Sequence, residues 1–261
     1  MVTYMDVNKI ISIATEAGRI MLQSGGETYR VEETISRICD AYLIKNSDSY
    51  VTPTGIMVSA TDIYGHNISI VKRIKNRTID LEKVSQVNDL SRNIKSKGIT
   101  ADEFLEQLKV IEKEPRYGYK ITILASSFIA AFFTLIFGGS SGDFLASFFI
   151  GGIIQYITIY GSKLDINSFF INIIGGMLSS ILAILFVTLG ISSSIDKIII
   201  GSIMLLVPGI AITNAVRDTI AGDLVAGLAR SAEAMLIAVG IAVGSGIVLS
   251  FWFLYGGGFL I

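Results

Sequence analysis

The spacing of apolar residues changes character at Pro115. Before it, apolar and polar positions alternate with helical or strand periods. Ile10, Ile13, Ala14, Ala17, Ile20 and Met21 recur at helical spacing, and Gly25-Gly26 then breaks the pattern. A second helix is predicted from Thr28 to Ala41, with Val31, Ile35 and Ile38 inward, Glu32 and Glu33 in the first turns and Arg37 nearer the end, as the helix dipole favours. Strand patterns follow at Tyr42–Ile44, at Gly55–Thr61 after Thr52-Pro53, and at Asn67–Val71, with Tyr64-Gly65 as a hairpin turn. Leu81, Val84, Val87, Leu90 and Ile94 predict a helix over Asp80–Lys95. Thr100-Ala-Asp-Glu103 is a capping box in front of Phe104, Leu105, Leu108 and Ile111. The order α-α-β-β-β-α-α describes a soluble α/β domain over residues 1–115.

After Pro115 the polar faces vanish. Uncharged runs cover Ile121–Gly142, Phe144–Ser162, Ile166–Ile195, Ile198–Val216 and Ala234–Ile261. Each approaches or exceeds the roughly 20 residues that cross the hydrocarbon layer, and none has the polar stripe that a globular helix keeps toward water. The expected fold class is therefore an α-helical integral membrane protein of five spans, with an N-terminal soluble α/β domain. Residues 116–261 form the transmembrane part, with spans near 121–140, 144–162, 168–190, 198–216 and 234–254.

Charge sharpens this division. Of 43 charged side chains in 261 residues, 33 lie in residues 1–120. Net charge is −1 and mean hydropathy +0.63, a balance that gives nucleic acid no attraction. One cysteine, Cys39, and one histidine, His66, leave no disulfide and no multi-histidine metal site; neither metal nor cofactor is expected. MVTYMDVNKI has no basic start before an apolar run, so no cleaved leader is expected. Arg116, Lys120, Lys163, Arg217 and Arg230 would share one side of the membrane, against Lys197 on the other. This places residues 1–115 in the cytoplasm and the C-terminus outside, in a multi-pass protein of the cell membrane.

The candidate chemistry lies between residues 206 and 233. Pro208-Gly209 interrupts the fourth apolar run, and a broken helix is one way to build a solute site within a membrane. Beyond it come Asn214 and Asp218, four residues apart on one helical face, then Asp223, Arg230 and Glu233. Arginine can hold a carboxylate by two parallel hydrogen bonds, and a carboxylate in a poorly solvated site can exchange a proton near neutral pH. An arginine for the solute and an acid for the proton would suffice for a coupled transporter; solvated charges in a connecting loop are the plainer alternative. Gly151-Gly152, Gly175-Gly176 and Gly240-x-x-x-Gly244 suit close helix packing, and Gln155 and Asn172 are polar groups inside spans. In the soluble part, Gly25-Gly26-Glu27 with Thr28, Arg30, Glu32 and Glu33 is the most polar cluster near a turn, and it is neither a phosphate loop nor a dinucleotide fingerprint. Ser59, Asp62 and His66 supply hydrolase residue types without a nucleophile-elbow pattern, so no enzyme is expected. The competing class is a membrane-tethered sensor or hydrolase-like domain without transport activity.

Gly25–Glu33, Thr52-Pro53-Thr54-Gly55-Ile56-Met57-Val58-Ser59, Leu81-x-x-Val84-x-x-Val87-Asn88-x-Leu90, and Leu206-Val207-Pro208-Gly209 with Asn214, Asp218, Gly222-Asp223, Gly227 and Arg230 resemble the YjjP-like branch of the threonine/serine exporter family. The resemblance implies export of threonine and serine, or of a C4 dicarboxylate such as succinate. It also implies a division of labour. Ten-span relatives carry both halves, whereas a chain of this layout resembles the larger half, working with a small YjjB-like five-span membrane subunit. Self-association through residues 240–246, giving a homo-oligomer, is expected alongside that partner.

Overall fold

The computed structural model describes residues 6–255, apart from Lys45, Ile63 and Arg116. Arg116, used above for orientation, and the tail of the last apolar run after Tyr255 therefore lie outside the described residues. The chain divides into two compact units. One comprises the residues up to Pro115 together with Ile210–Ser231; the other comprises 117–209 and the residues from Ala232 onward.

In the first unit, α1 (Val7–Gln23) and α2 (Thr28–Ala41) pack over a three-stranded antiparallel meander of β1 (Ser47–Thr52), β2 (Gly55–Thr61) and β3 (Asn67–Arg73). Asp6 caps α1 by accepting from the Asn8 amide at 3.0 Å. Strand β2 alternates as the pleat requires: Ile56, Val58 and Ala60 are buried, while Met57 is exposed. These residues join Ile10, Ala14, Ala17 and Met21 of α1 and Val31, Ile35 and Ile38 of α2 in one core. Helices α3 (Leu81–Arg92), α4 (Ile94–Lys97) and α5 (Ala101–Lys113) complete it through Val87, Phe104 and Leu108. The capping box at Thr100 and Glu103 forms with both hydrogen bonds.

Two local expectations are corrected. Tyr42–Ile44 is not a strand: it is the turn that ends α2, with Leu43 at φ 67° and the Ile44 amide returning to the Cys39 carbonyl at 2.9 Å. The first strand is instead Ser47–Thr52, paired with β2 from Ser47↔Ala60 to Thr52↔Gly55. The helix expected over Asp80–Lys95 is split, because Asn93 closes α3 before the short turn of α4.

The second unit holds α6 (Tyr119–Ile136), α7 (Ser141–Lys163), α8 (Ser168–Thr188) and α9 (Ile195–Ile203). The first three, together with α11 (Leu224–Tyr255), are the four helices among the described residues long and apolar enough to cross a membrane. The expected fourth span, 198–216, is not one helix. It divides into α9 and α10 (Gly209–Ile220), separated by residues 204–208. Pro208 has no amide to give, and the turn before it closes through the Leu206 amide on the Ile203 carbonyl at 2.8 Å.

Inside this unit, contacts are close and polar in places. The Thr134 hydroxyl bridges the Ala130 carbonyl and Ser147 Oγ at 3.0 and 2.6 Å. Asp143 is fully buried at the start of α7. It accepts from the Ser140 amide and hydroxyl and from the Ser193 and Ser194 amides at 2.8–3.1 Å, which ties the α6–α7 turn to the α8–α9 connection. Gly240 and Gly244 are taken up within the chain, since a methyl group at either would meet the Phe169 or Ile173 carbonyl of α8 at 3.2 and 2.1 Å. Gly246, by contrast, has open space around it.

Candidate functional site: a polar latch in the first unit

The turn between α1 and α2 is built to present carbonyls. Gly25 adopts φ +94°, which favours glycine, and the Gly26 amide returns to the Met21 carbonyl at 2.9 Å. Glu27 takes the N-cap position of α2 but makes no side-chain cap, so the first amides of α2 need acceptors from elsewhere.

Those acceptors come from residues 214–230, about 190 positions along the chain. Asp218, fully buried, accepts the Thr28 amide at 3.1 Å; its charge at the N-terminus of α2 complements the helix dipole. Asp223 Oδ2 accepts from the Thr28 hydroxyl at 3.3 Å. Asn214 Nδ2 donates to the Gly25 carbonyl at 2.9 Å, and Arg230 Nη2 donates to the Gly26 carbonyl at 2.9 Å. Arg230 Nε also forms an ion pair with Asp218 Oδ2 at 2.9 Å, with both side chains almost wholly buried. Glu27 sits between Arg217 at 2.5 Å and Arg30 at 3.2 Å.

The chain reaches this arrangement through local geometry. Asn214 and Asp218 lie one helical turn apart on the buried face of α10. The turn at Ala221–Asp223 reverses the chain, with the Asp223 amide on the Asp218 carbonyl at 2.8 Å. Gly227, one turn into α11, lets the two helices touch: a Cβ there would stand 2.1 Å from Thr219 Oγ1 and 3.0 Å from the Ala215 carbonyl.

Of the candidate residues, Asn214, Asp218, Asp223 and Arg230 are brought together, all on Gly25–Thr28. Pro208, Gly209 and Glu233 belong to the second unit. Sequence reading assigned no partner to Arg217 and no role to Glu27, and it left the glycine turn and the acidic segment as separate features. Their common signal was a polar cluster at a helix break. A third acid stands beside them. Glu32 accepts from the Val51 amide at 2.7 Å; burial, and then the nearby Asp223 and Asp218 charges, push its carboxyl above its ordinary value despite that hydrogen bond. Ser59, Asp62 and His66 form no triad: Ser59 meets Ser69 at 2.9 Å, and His66 meets Asp62 on the exposed hairpin turn. Among the described residues, no group of three or more His, Cys, Asp or Glu is placed to hold a metal ion.

The arrangement is a latch of neutral and charged hydrogen bonds with one buried ion pair at its centre. Chemically, Arg230 holds one carboxylate, that of Asp218. A multi-span helical membrane protein with an N-terminal α/β region and a buried Arg–Asp latch is the class so defined. Residues 12–252 match the family described as "Putative threonine/serine exporter", and the chain belongs to that family. It is similar to the probable threonine/serine exporter of Mycobacterium tuberculosis (21% identical, covering 92% of this chain and 46% of that protein). It is likewise similar to the threonine/serine exporter of Corynebacterium glutamicum (24%, 94% and 51%). The probable succinate transporter subunit YjjP of Escherichia coli is 25% identical, over 95% of this chain and 96% of that protein. The chain thus spans about half the length of the two exporters. No solved structure matches it.

Proposed function

We propose that the chain is a secondary transporter exporting small carboxylate-bearing solutes, either threonine and serine or a C4 dicarboxylate such as succinate. It works as one half of a two-component exporter and is driven by the proton gradient. The observation that carries the reading is the Asp218–Arg230 pair: a buried arginine already holding a carboxylate, in a chain of this family. A solute carboxylate takes the place of Asp218 on Arg230, and Asp223 carries the proton. The half-length match to the long exporters and the near-complete match to a transporter subunit support a division of labour with a small YjjB-like five-span partner. Residues 1–115 face the cytoplasm and the C-terminus lies outside.

The test is reconstitution in vesicles loaded with labelled threonine, serine and succinate, with and without the five-span subunit. Release of at least one solute, dependent on both chains and accelerated by a proton gradient, is expected. No release of any of the three with both chains present would overturn transport in favour of a membrane-tethered domain. Release by this chain alone would overturn the two-component reading.

A further inference from the structure

The first unit has a groove that the latch does not use. It lies between α1 and α5, beside β3, has a volume of about 470 Å³, and is lined by Ser12, Ile13, Glu16, Lys72, Leu108 and Lys109 among others. Ion pairs close it at both ends: Lys9 to Asp102 at 2.6 Å, and Arg19 to Glu112 at 2.5 Å. Between these ends the two helices leave a floor of buried Ile13 and Leu108. The middle of the groove carries both charge signs. Glu16 is held in place by Arg19 at 2.6 Å and Lys72 at 3.4 Å. Burial raises its carboxyl, but the bonds from Arg19 and Lys72 outweigh this and hold it below its ordinary value, so it is ionised at neutral pH. Lys109, on the α5 side, makes no ion pair among the described residues, and the Ser12 hydroxyl has no hydrogen-bond partner among them.

A pocket of this size with an apolar floor and a few convergent polar groups suits a small metabolite. We propose that the groove is a binding site for a zwitterionic α-amino acid. Its carboxylate sits on Lys109 and Ser12, its ammonium faces Glu16 and Glu112, and its side chain lies over Ile13 and Leu108. A dicarboxylate would set a second negative charge against the two glutamates, and a simple amine would meet Lys9, Lys72 and Lys109; the zwitterion satisfies both signs. The site does not depend on what the chain exports.

The test uses the full chain in detergent micelles or nanodiscs. Lysines are acylated by an amine-reactive reagent, and rates are read residue by residue by mass spectrometry, with L-alanine, L-alanine amide or succinate present. L-alanine at about 10 mM should slow acylation of Lys109 by about threefold or more, the occupancy expected of a millimolar site. Lys95, on α4, should be unaffected, and the amide and succinate should protect Lys109 less. Glu16→Gln should remove the protection; Glu112→Gln, at a more exposed position, serves if Glu16→Gln fails to fold. Unchanged Lys109 labelling with L-alanine, protection by succinate equal to that by L-alanine, or protection that survives the folded glutamate variant would each overturn the proposal. The readout is protection of one lysine, so it stands whether or not the chain moves any solute in vesicles.

Discussion

At the scale of single residues, Arg230 and Glu32 carry opposite lessons about buried charge. Arg230 has both an ion-pair partner and a carbonyl to donate to. Breaking one side of a buried pair typically costs about 3–5 kcal/mol, because the other charge is stranded. Lysine in its place keeps the charge but cannot hold Asp218 and Gly26 through a planar fork. Arg230→Lys should therefore reduce efflux by about tenfold or more at equal expression, while Asp223→Asn, which keeps an acceptor for Thr28, should mainly remove the dependence on the proton gradient. Efflux across a range of pH on both variants is the measurement, and near-normal rates in both would reduce residues 214–230 to a structural latch. Glu32 is a half-buried acid whose folded pKa lies above the ordinary 4.5. Stability contributed by a raised acid is complete below about 4.5 and is lost as pH rises through the folded pKa. Glu32→Gln can still accept from Val51 and no longer repels Asp218 and Asp223. Its thermal midpoint should exceed wild type at pH 7 and match it near pH 4; an equal or lower midpoint at pH 7 would contradict this.

At the scale of elements, the sequence was most legible where one period ran uninterrupted. The faces of α1, α2 and β2, the capping box at Thr100 and the hairpin turn at Gly65 all followed from local pattern and turn chemistry. Strand β1 did not, because Ser47-Asp48-Ser49 is polar and sits at the sheet edge, while the more apolar Tyr42–Ile44 beside it is a turn. Pro208 announced a break in the fourth apolar run. Nothing in the spacing announced that residues 210–231 belong to the first unit, since the contacts that hold them there reach back to Gly25–Thr28. Asp143 had no local signal, because its cluster of hydroxyl and amide donors only exists once the α8–α9 connection folds over it. Packing of α6 on α9 offers a test at this scale. A Cβ at Gly201 would lie 1.9 Å from Thr134 Oγ1 and 2.7 Å from the Thr134 amide, so the backbone itself must move. Gly201→Ala should lower the melting temperature of the purified protein well below that of Gly246→Ala, where nothing lies within 4 Å. Equal midpoints would mean that α9 is free to shift away from α6.

At the scale of the whole molecule, five crossings are the expectation to test. Residues up to Pro115 and Ile210–Ser231 form one compact unit, and in the proposed topology both face the same compartment. Between them lie α6, α7 and α8, each long enough to cross. Three crossings would leave the chain on the far side at Thr188, and it must return before Ile210. The return falls to α9 and residues 204–208. As a helix of nine residues, α9 rises only about 14 Å, against a hydrocarbon layer of about 30 Å. The proposed topology therefore needs a short, interrupted fourth crossing here, although α9 is not long enough to be a span by itself. With α11 the proposed total is five, which would set the C-terminus opposite the N-terminus, and the excess of basic residues near Lys120, Lys163, Arg217 and Arg230 is the reason to expect the N-terminus in the cytoplasm. Single cysteines placed at Lys120, Asp165 and Arg217 in a Cys39→Ser background should resist a membrane-impermeant maleimide added to intact cells. Cysteines at Ser193 and after Tyr255 should react. Labelling of the C-terminal cysteine only after the cells are opened would give an even number of crossings, and residues 204–208 would then be a re-entrant segment rather than a span.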